Sequence, residues 1–217
     1  MKVLLVADEE SLSLWDHYKP EKLQGIDLIL SAGDLKHTYL EFLVTMARAP
    51  VGYIHGNHDA CYEQTPPEAC ICLEDRVVDF GGLRVLGLGG SVRYRPGLHQ
   101  YTQREMRRRI TRLRAALWRS GGVDLVLTHA PVYGLGDLPG TAHEGFKAFR
   151  ALLDKYKPKY LVHGHVHRRY GVDVPRILEY QETQIINACE KYVLEIPDEI
   201  LTKQKRFGLP RADRKKI

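Results

Sequence analysis

Five short, nearly unbroken apolar runs stand out along the chain, at residues 3–6, 28–30, 51–54, 125–127 and 160–162. Strand side chains alternate between two faces, so a run that is apolar at every position fits a strand covered on both sides, as in layered α/β sheets. Elsewhere the period changes. Residues 38–48 carry Leu40, Leu43 and Met46 at helical spacing. Residues 104–114 and the positions after them do the same with Met106, Ile110, Leu113 and Leu117. Residues 146–156 predict a helix that turns Phe149, Leu152 and Leu153 inward and stops before Pro158. Residues 9–22 have room for one more helix, ended or kinked at Pro20. Residues 76–80, 83–88 and 184–195 have turn-punctuated strand character, and Gly81-Gly82 predicts a hairpin between the first two. No repeat or linker divides the chain. The pattern predicts one mixed α/β domain over residues 1–202 and a basic tail at 203–217.

The residues that end each apolar run are more specific than the runs themselves. The first run leads to Asp8, the second to Gly33-Asp34, and the third to His55-Gly56-Asn57-His58-Asp59. The fourth leads to Thr128-His129 and the fifth to Gly164-His165-Val166-His167. In open α/β sheets, sites form outside the carboxyl ends of the strands. A single histidine there is more often structural than a ligand, but five strand ends all finishing on ligand types are not explained that way. Carboxylate, amide and imidazole donors suit Mn²⁺, Fe²⁺ or Zn²⁺ rather than a thiolate structural zinc site. The groups outnumber the ligands of one ion. With one carboxylate shared they would serve two ions ~3.5–4 Å apart, a pair that clamps the attacking and leaving oxygens of a phosphoryl transfer. That chemistry needs no protein nucleophile, and none is evident.

Composition narrows the setting. The 217 residues are 44% hydrophobic and 27% charged, ordinary values for a globular protein. No apolar stretch approaches the roughly 20 residues that cross a bilayer. The opening MKVLLVADEE meets acid too soon for a secretory leader, so the expected compartment is the cytoplasm. Cys61, Cys70, Cys72 and Cys189 form no paired CxxC framework and read as reduced thiols. The net charge of +5 gathers at residues 104–114 and 203–216, which admits nucleic acid as a partner. Helical periodicity makes the first cluster a solvated face instead, so nucleic acid is not favoured. No membrane partner is expected, and homo-oligomerisation is left open.

Asp8, Gly33-Asp34, Gly56-Asn57-His58-Asp59, His129 and Gly164-His165-Val166-His167, in this order, resemble the signature of the calcineurin-like metallophosphoesterase superfamily. The likeness covers about the first 170 residues, and Ile186-Asn187-Ala188 is similar to the closing strand of that fold. The resemblance implies a four-layer α/β/β/α sandwich of two mixed β-sheets flanked by helices. It implies two divalent ions bridged by Asp34, Mn²⁺ foremost, with Fe²⁺/Fe³⁺ or Zn²⁺ as alternatives. Asp8 and His167 would hold the first ion, and Asn57, His129 and His165 the second. His58 would sit near the phosphate, neutralising it or protonating the leaving oxygen, with Asp59 orienting it.

One position departs from that signature. The family's first block is Asp-x-His, and here it is Asp8-Glu9-Glu10. Glu10 is expected to take the imidazole's place, directly or through water, and to shift preference towards harder ions such as Mn²⁺. His37 stands where the second block often ends in aspartate and reads as a substrate contact or a support to the ligands. Arg93, after the permissive Gly89-Gly90, is the candidate arginine for a substrate phosphate. His55 and His163 read as inward-facing core residues, and His143 as bordering the site. The expected activity is hydrolysis of a small phosphoester, with phosphodiester ahead of phosphomonoester, by a hydroxide on the metal pair attacking in line. A nuclease of the same fold is one alternative. Another is a metal-binding protein-interaction scaffold, since the superfamily includes a retromer subunit that has lost hydrolytic competence.

Overall fold

The computed structural model describes residues 1–140, 142–167 and 174–201, and in it the apolar runs become parallel strands of two stacked sheets. The first sheet contains β1 (Lys2–Ala7), β2 (Leu28–Ser31), β3 (Val51–Tyr53) and β4 (Ile71–Cys72), each parallel to the next. The second contains β5 (Arg76–Phe80), β6 (Leu83–Leu88), β9 (Leu125–Thr128), β10 (Tyr160–His163), β11 (Ile177–Tyr180) and β12 (Thr183–Asn187). Its centre, β6-β9-β10-β12, is parallel, and antiparallel β5 and β11 close its two edges. A small parallel ribbon, β7 (Ser91–Val92) with β8 (Gln100–Tyr101), leads into the helical face. The last strand among the described residues, β13 (Glu190–Glu195), returns to the first sheet and pairs antiparallel with β1.

Three apolar clusters account for the layering. Val3, Leu5, Leu28, Leu30, Val85, Leu125, Leu127 and Val162 meet between the sheets. The alternate residues Leu4, Val6 and Ile29 point the other way, onto Tyr39, Leu40 and Leu43 of α1 (His37–Ala47). On the far side, Leu86, Val126, Leu161 and Ile185 pack against α2 (Gln103–Arg112), α3 (Arg114–Arg119) and α4 (Lys147–Tyr156). The order is helix, sheet, sheet, helices: the four-layer α/β/β/α sandwich. Strands buried on both faces explain why their sequences are apolar throughout. No helix among the described residues is long and apolar enough to cross a membrane.

Several local expectations change. Residues 9–22 form turns and one short 3-10 segment, Pro20–Lys22, rather than an α-helix. Serine hydroxyls compete with a helical backbone, and here they are drawn to the distant end of the chain: Ser11 bonds Glu190 at 2.9 Å and Lys191 donates to both Ser11 and Ser13. Met46 is 41% exposed because Tyr39, with Leu40 and Leu43, fills the inner face of α1. The arginine-rich segment opens on a Thr102/Glu105 capping box and divides into α2 and α3. Residues 184–195 are two strands, split at Ala188-Cys189 where the chain changes sheets. The basic tail at 203–217 lies outside the described residues.

Candidate metal centre

Because the central strands run parallel, their carboxyl ends share one edge of the sandwich. Asp8, Asp34, Asn57, His129 and His165 all lie just past such ends. Three of them turn sharply: φ is 65° at Asp8, 57° at Asp34 and 67° at His165, the left-handed region that costs an L-residue of order 1 kcal/mol or more. The loops interlock so tightly that two motif glycines are required. A Cβ on Gly33 would collide with the Gly56 nitrogen, and one on Gly56 would collide with Asp34 Oδ1.

Asp34, His129 and His165 form the centre of this edge, each offering a ligand atom within 4.8 Å of the others. His129 Nε2 stands 3.3 Å from Asp34 Oδ2 and 3.1 Å from Asn57 Oδ1. The opposite nitrogen, Nδ1, donates to the Ala32 carbonyl at 2.8 Å. His165 Nε2 donates to the Ala142 carbonyl at 2.6 Å, and its amide donates to Asp8 Oδ1 at 2.8 Å. Carbonyls only accept, so these bonds assign a proton to His129 Nδ1 and to His165 Nε2, and the other nitrogen of His129 faces Asp34. This is how histidine ligands are commonly held.

Charge is concentrated here. Burial pushes the Asp8 carboxyl up to about 6, with the Asp34 charge adding to it against His129. Burial also opposes charge on His129, but Asp34 and Asp8 outweigh it and raise that imidazole to about 9. Asp34 feels the same burial, yet His129 and the His58 amide bring its carboxyl well below the usual range. Burial, then the nearby His129, lowers His165 to about 3, so that ring is neutral with a free lone pair. Asp8 Oδ2 is buried with no hydrogen-bond partner among the described residues. A buried carboxylate oxygen without a partner, an ionised carboxylate and two oriented imidazoles fit divalent cations. His129 carries the positive charge that such ions would supply.

The other side of Asp34 differs from expectation. Glu10, the residue in register with the family's imidazole, accepts from the Lys36 amide at 3.2 Å and lies 4.0 Å from its ammonium. Glu9 meets His167 instead, at 3.1 Å, and with buried Cys189 these two residues group their ligand atoms within 4.8 Å. The cause is local. Left-handed Asp8 and the tight Glu9 amide to Ala7 carbonyl contact of 2.7 Å turn successive side chains to different sides.

The remaining candidates spread around this edge. His58 is exposed, and its amide donates to Asp34 Oδ1 at 2.8 Å. Asp59 is buried and ties the loops together, Oδ2 accepting from the Asp34 and Gly56 amides at 2.7 Å each. Its carboxyl is pushed up to about 6, by burial first and then by the Asp34 charge. His143 borders the centre, its ring 5.3 Å from that of His165. His163 is buried against the Gly164 carbonyl. His37 pairs with Glu41, one helical turn on. Arg93 is engaged by Glu105 at 3.0 Å and by the Gln100 carbonyl. Its neighbour Tyr94 is the residue that approaches the centre, its hydroxyl 3.4 Å from Asn57 Nδ2. Nothing in the sequence singles out Tyr94, because only the path of that loop decides which of two adjacent side chains faces inward.

TT1561 of Thermus thermophilus matches with a TM-score of 0.59 and 15% identity over 87% of this chain and 89% of that one, a likeness of fold. A Vps29 single mutant from Entamoeba histolytica aligns over 91% of this chain and 87% of that one, at 17% identity and a TM-score of 0.47. None of the curated proteins matches the sequence. The family profile described as Calcineurin-like phosphoesterase matches residues 7–169, which includes every strand end in the centre, and the chain belongs to that family.

Proposed function

We propose that residues 1–202 form a metal-dependent hydrolase of small phosphoesters, with phosphodiesters ahead of phosphomonoesters, built around two divalent ions flanking Asp34. The observation that carries this reading is the convergence of Asp34, His129 and His165 on one point beside the buried Asp8 Oδ2, which has no hydrogen-bond partner among the described residues. Bound divalent ions supply charge to polarise a phosphoryl oxygen and to make a water-derived nucleophile available near neutral pH. Asp34 would be the shared ligand in this scheme, with Asn57, His129 and His165 holding one ion and Asp8, His167 and Glu9 the other. Glu9 rather than Glu10 is the carboxylate proposed there, since Glu9 meets His167 and Glu10 meets Lys36. Manganese suits this donor set, with iron or zinc as the alternatives.

His58, exposed beside Asp34, is the proton donor to the leaving oxygen, and Asp59 holds the loop from which it projects. The Tyr94 hydroxyl is a hydrogen-bonding group for the substrate. Beyond His165, a cleft of about 540 Å³ lies along Tyr133, Asp137, Leu138, Pro139 and Glu144. Its loop also carries Ala142 and His143, which touch His165. An open cleft fits the two substituents of a small diester, and its two carboxylates disfavour a long polyanion such as nucleic acid. The free thiols of Cys61, Cys70 and Cys72 fit a reducing compartment such as the cytoplasm.

Turnover of a chromogenic diester and the matching monoester, measured with Mn²⁺, Fe²⁺ and Zn²⁺, tests the proposal. Metal-dependent hydrolysis faster on the diester, cut by about 10²–10⁴-fold in His58→Ala, is the expected result. If the protein binds metal yet turns over neither ester, it is a scaffold and not an enzyme.

A further inference from the structure

We propose that His55, His99 and Glu63 form a third divalent-cation site, apart from the centre around Asp34, suited to zinc. Each offers a ligand atom, and all three atoms lie within 4.8 Å of one another. The two imidazoles stack with ring centroids 4.3 Å apart and planes 12° from parallel. Two nitrogens and one carboxylate oxygen with water as the fourth ligand make a common zinc donor set, closing to about 2.0–2.2 Å on the ion.

Two observations separate this cluster from an ordinary polar contact. The first is the support behind His55. Its Nδ1 lies 3.1 Å from Glu74 Oε2, and an ionised carboxylate only accepts, so Nδ1 carries a proton and the ring's other nitrogen is the one available to an ion. Glu74 is itself fixed, accepting from the Gly89 amide at 2.8 Å, from the His55 amide at 3.1 Å and from Arg109. A carboxylate behind a histidine, anchored in turn by the backbone, is the arrangement that orients imidazoles on zinc.

The second is His99. Its side chain is 9% exposed, and Nε2 is buried with no hydrogen-bond partner among the described residues, the nearest opposite charge being Glu63 Oε1 at 3.5 Å. A buried imidazole nitrogen that bonds nothing is costly unless a ligand satisfies it. Burial, then the adjacent His55, lowers the His99 pKa and keeps the ring neutral, the form that binds metal. Glu63, with a side chain 57% exposed, stands at the rim of a cleft of about 460 Å³ that reaches His99 from solvent. An ion thus has a way in, and the carboxylate has freedom to close on it.

The test is zinc stoichiometry and affinity for the whole protein, by calorimetric titration with Zn²⁺ and elemental analysis after dialysis. Glu63→Ala and His99→Ala are each expected to lose one zinc equivalent relative to the parent. Introduced into Asp34→Ala, either change should still remove one equivalent, which separates this site from the centre at Asp34. Should His99→Ala fail to fold, the surface change Glu63→Ala decides alone. Equal stoichiometry and affinity in Glu63→Ala and the parent would overturn the proposal.

Discussion

The two flanks of Asp34 are built to different standards. On one, His129 and His165 are buried, each with one nitrogen fixed on a backbone carbonyl, and the other nitrogen of His129 faces Asp34. On the other, Glu9 and His167 are partly exposed, with side chains 24% and 32% accessible, and the family's usual imidazole is absent. The first flank is organised before any ion arrives. The second consists of longer, more accessible side chains that must be ordered by the ion itself, which costs conformational entropy. The comparison teaches that the two ions should differ in affinity, and that the departure at Asp8-Glu9-Glu10 falls where the fold tolerates it.

The strongest way to break this comparison is to remove one ligand from each flank and count metal by elemental analysis. His129→Ala is expected to reduce turnover to background and to lose the tighter ion. Glu9→Ala should keep the tight ion and lose the weaker one, and Glu10→Ala should stay nearest the parent. A larger metal loss in Glu10→Ala than in Glu9→Ala would reverse the assignment of that flank.

Next in size is Asp59→Asn. The carboxylate oxygen that gathers the Asp34 and Gly56 amides sets the distance between their two loops. The change should cost about 10–100-fold in kcat/KM and weaken metal binding, as supporting residues of metal centres do. An unchanged kcat/KM would show that the interlocked glycines alone hold the loops.

Acid supplies the mildest probe. Glu74 lies under His55, which leads directly into Asn57, and it is held by Arg109. Burial works against its charge, but His55, Arg109 and two backbone amides bring its carboxyl down from an ordinary 4.5 to about 2. A folded-state pKa below the unfolded one means the ionised carboxylate stabilises the fold above about 4.5. That contribution fades as pH falls from there towards 2. Thermal unfolding from pH 6 to pH 3 should therefore show a drop in Tm that is smaller in Glu74→Gln, measured against its own lower starting value.

Much of the centre was legible in the sequence because parallel strands impose a simple rule. Strands buried on both faces are apolar throughout, and the residues just past them share one edge, so Asp8, Asp34, Asn57, His129 and His165 could be grouped without coordinates. The features that escaped depended on partners far along the chain or on one turn of backbone. Arg109 looked like part of a solvated arginine face, but it is buried on Glu74 and Asp75, residues more than 30 positions away. The choice of Glu9 over Glu10, or of Tyr94 over Arg93, lies in loop dihedrals that no periodicity encodes. The turn region at 9–22 likewise depends on Lys191 and Glu190 reaching back to its serines.

The crossing at Ala188-Cys189 has a consequence for how the molecule is made. Strand β1 pairs with β13 from Lys2–Glu195 to Ala7–Glu190, so one neighbour of β1 is made only when synthesis reaches residues 190–195. At ribosomal speeds of roughly 5–20 residues per second, that edge waits about 10 to 40 s for its partner. For that interval the nascent chain presents an open apolar strand, the kind of edge that other chains can join. Translation of the segment that carries β13, more than the assembly of the centre itself, should then govern how much of the protein reaches its native form.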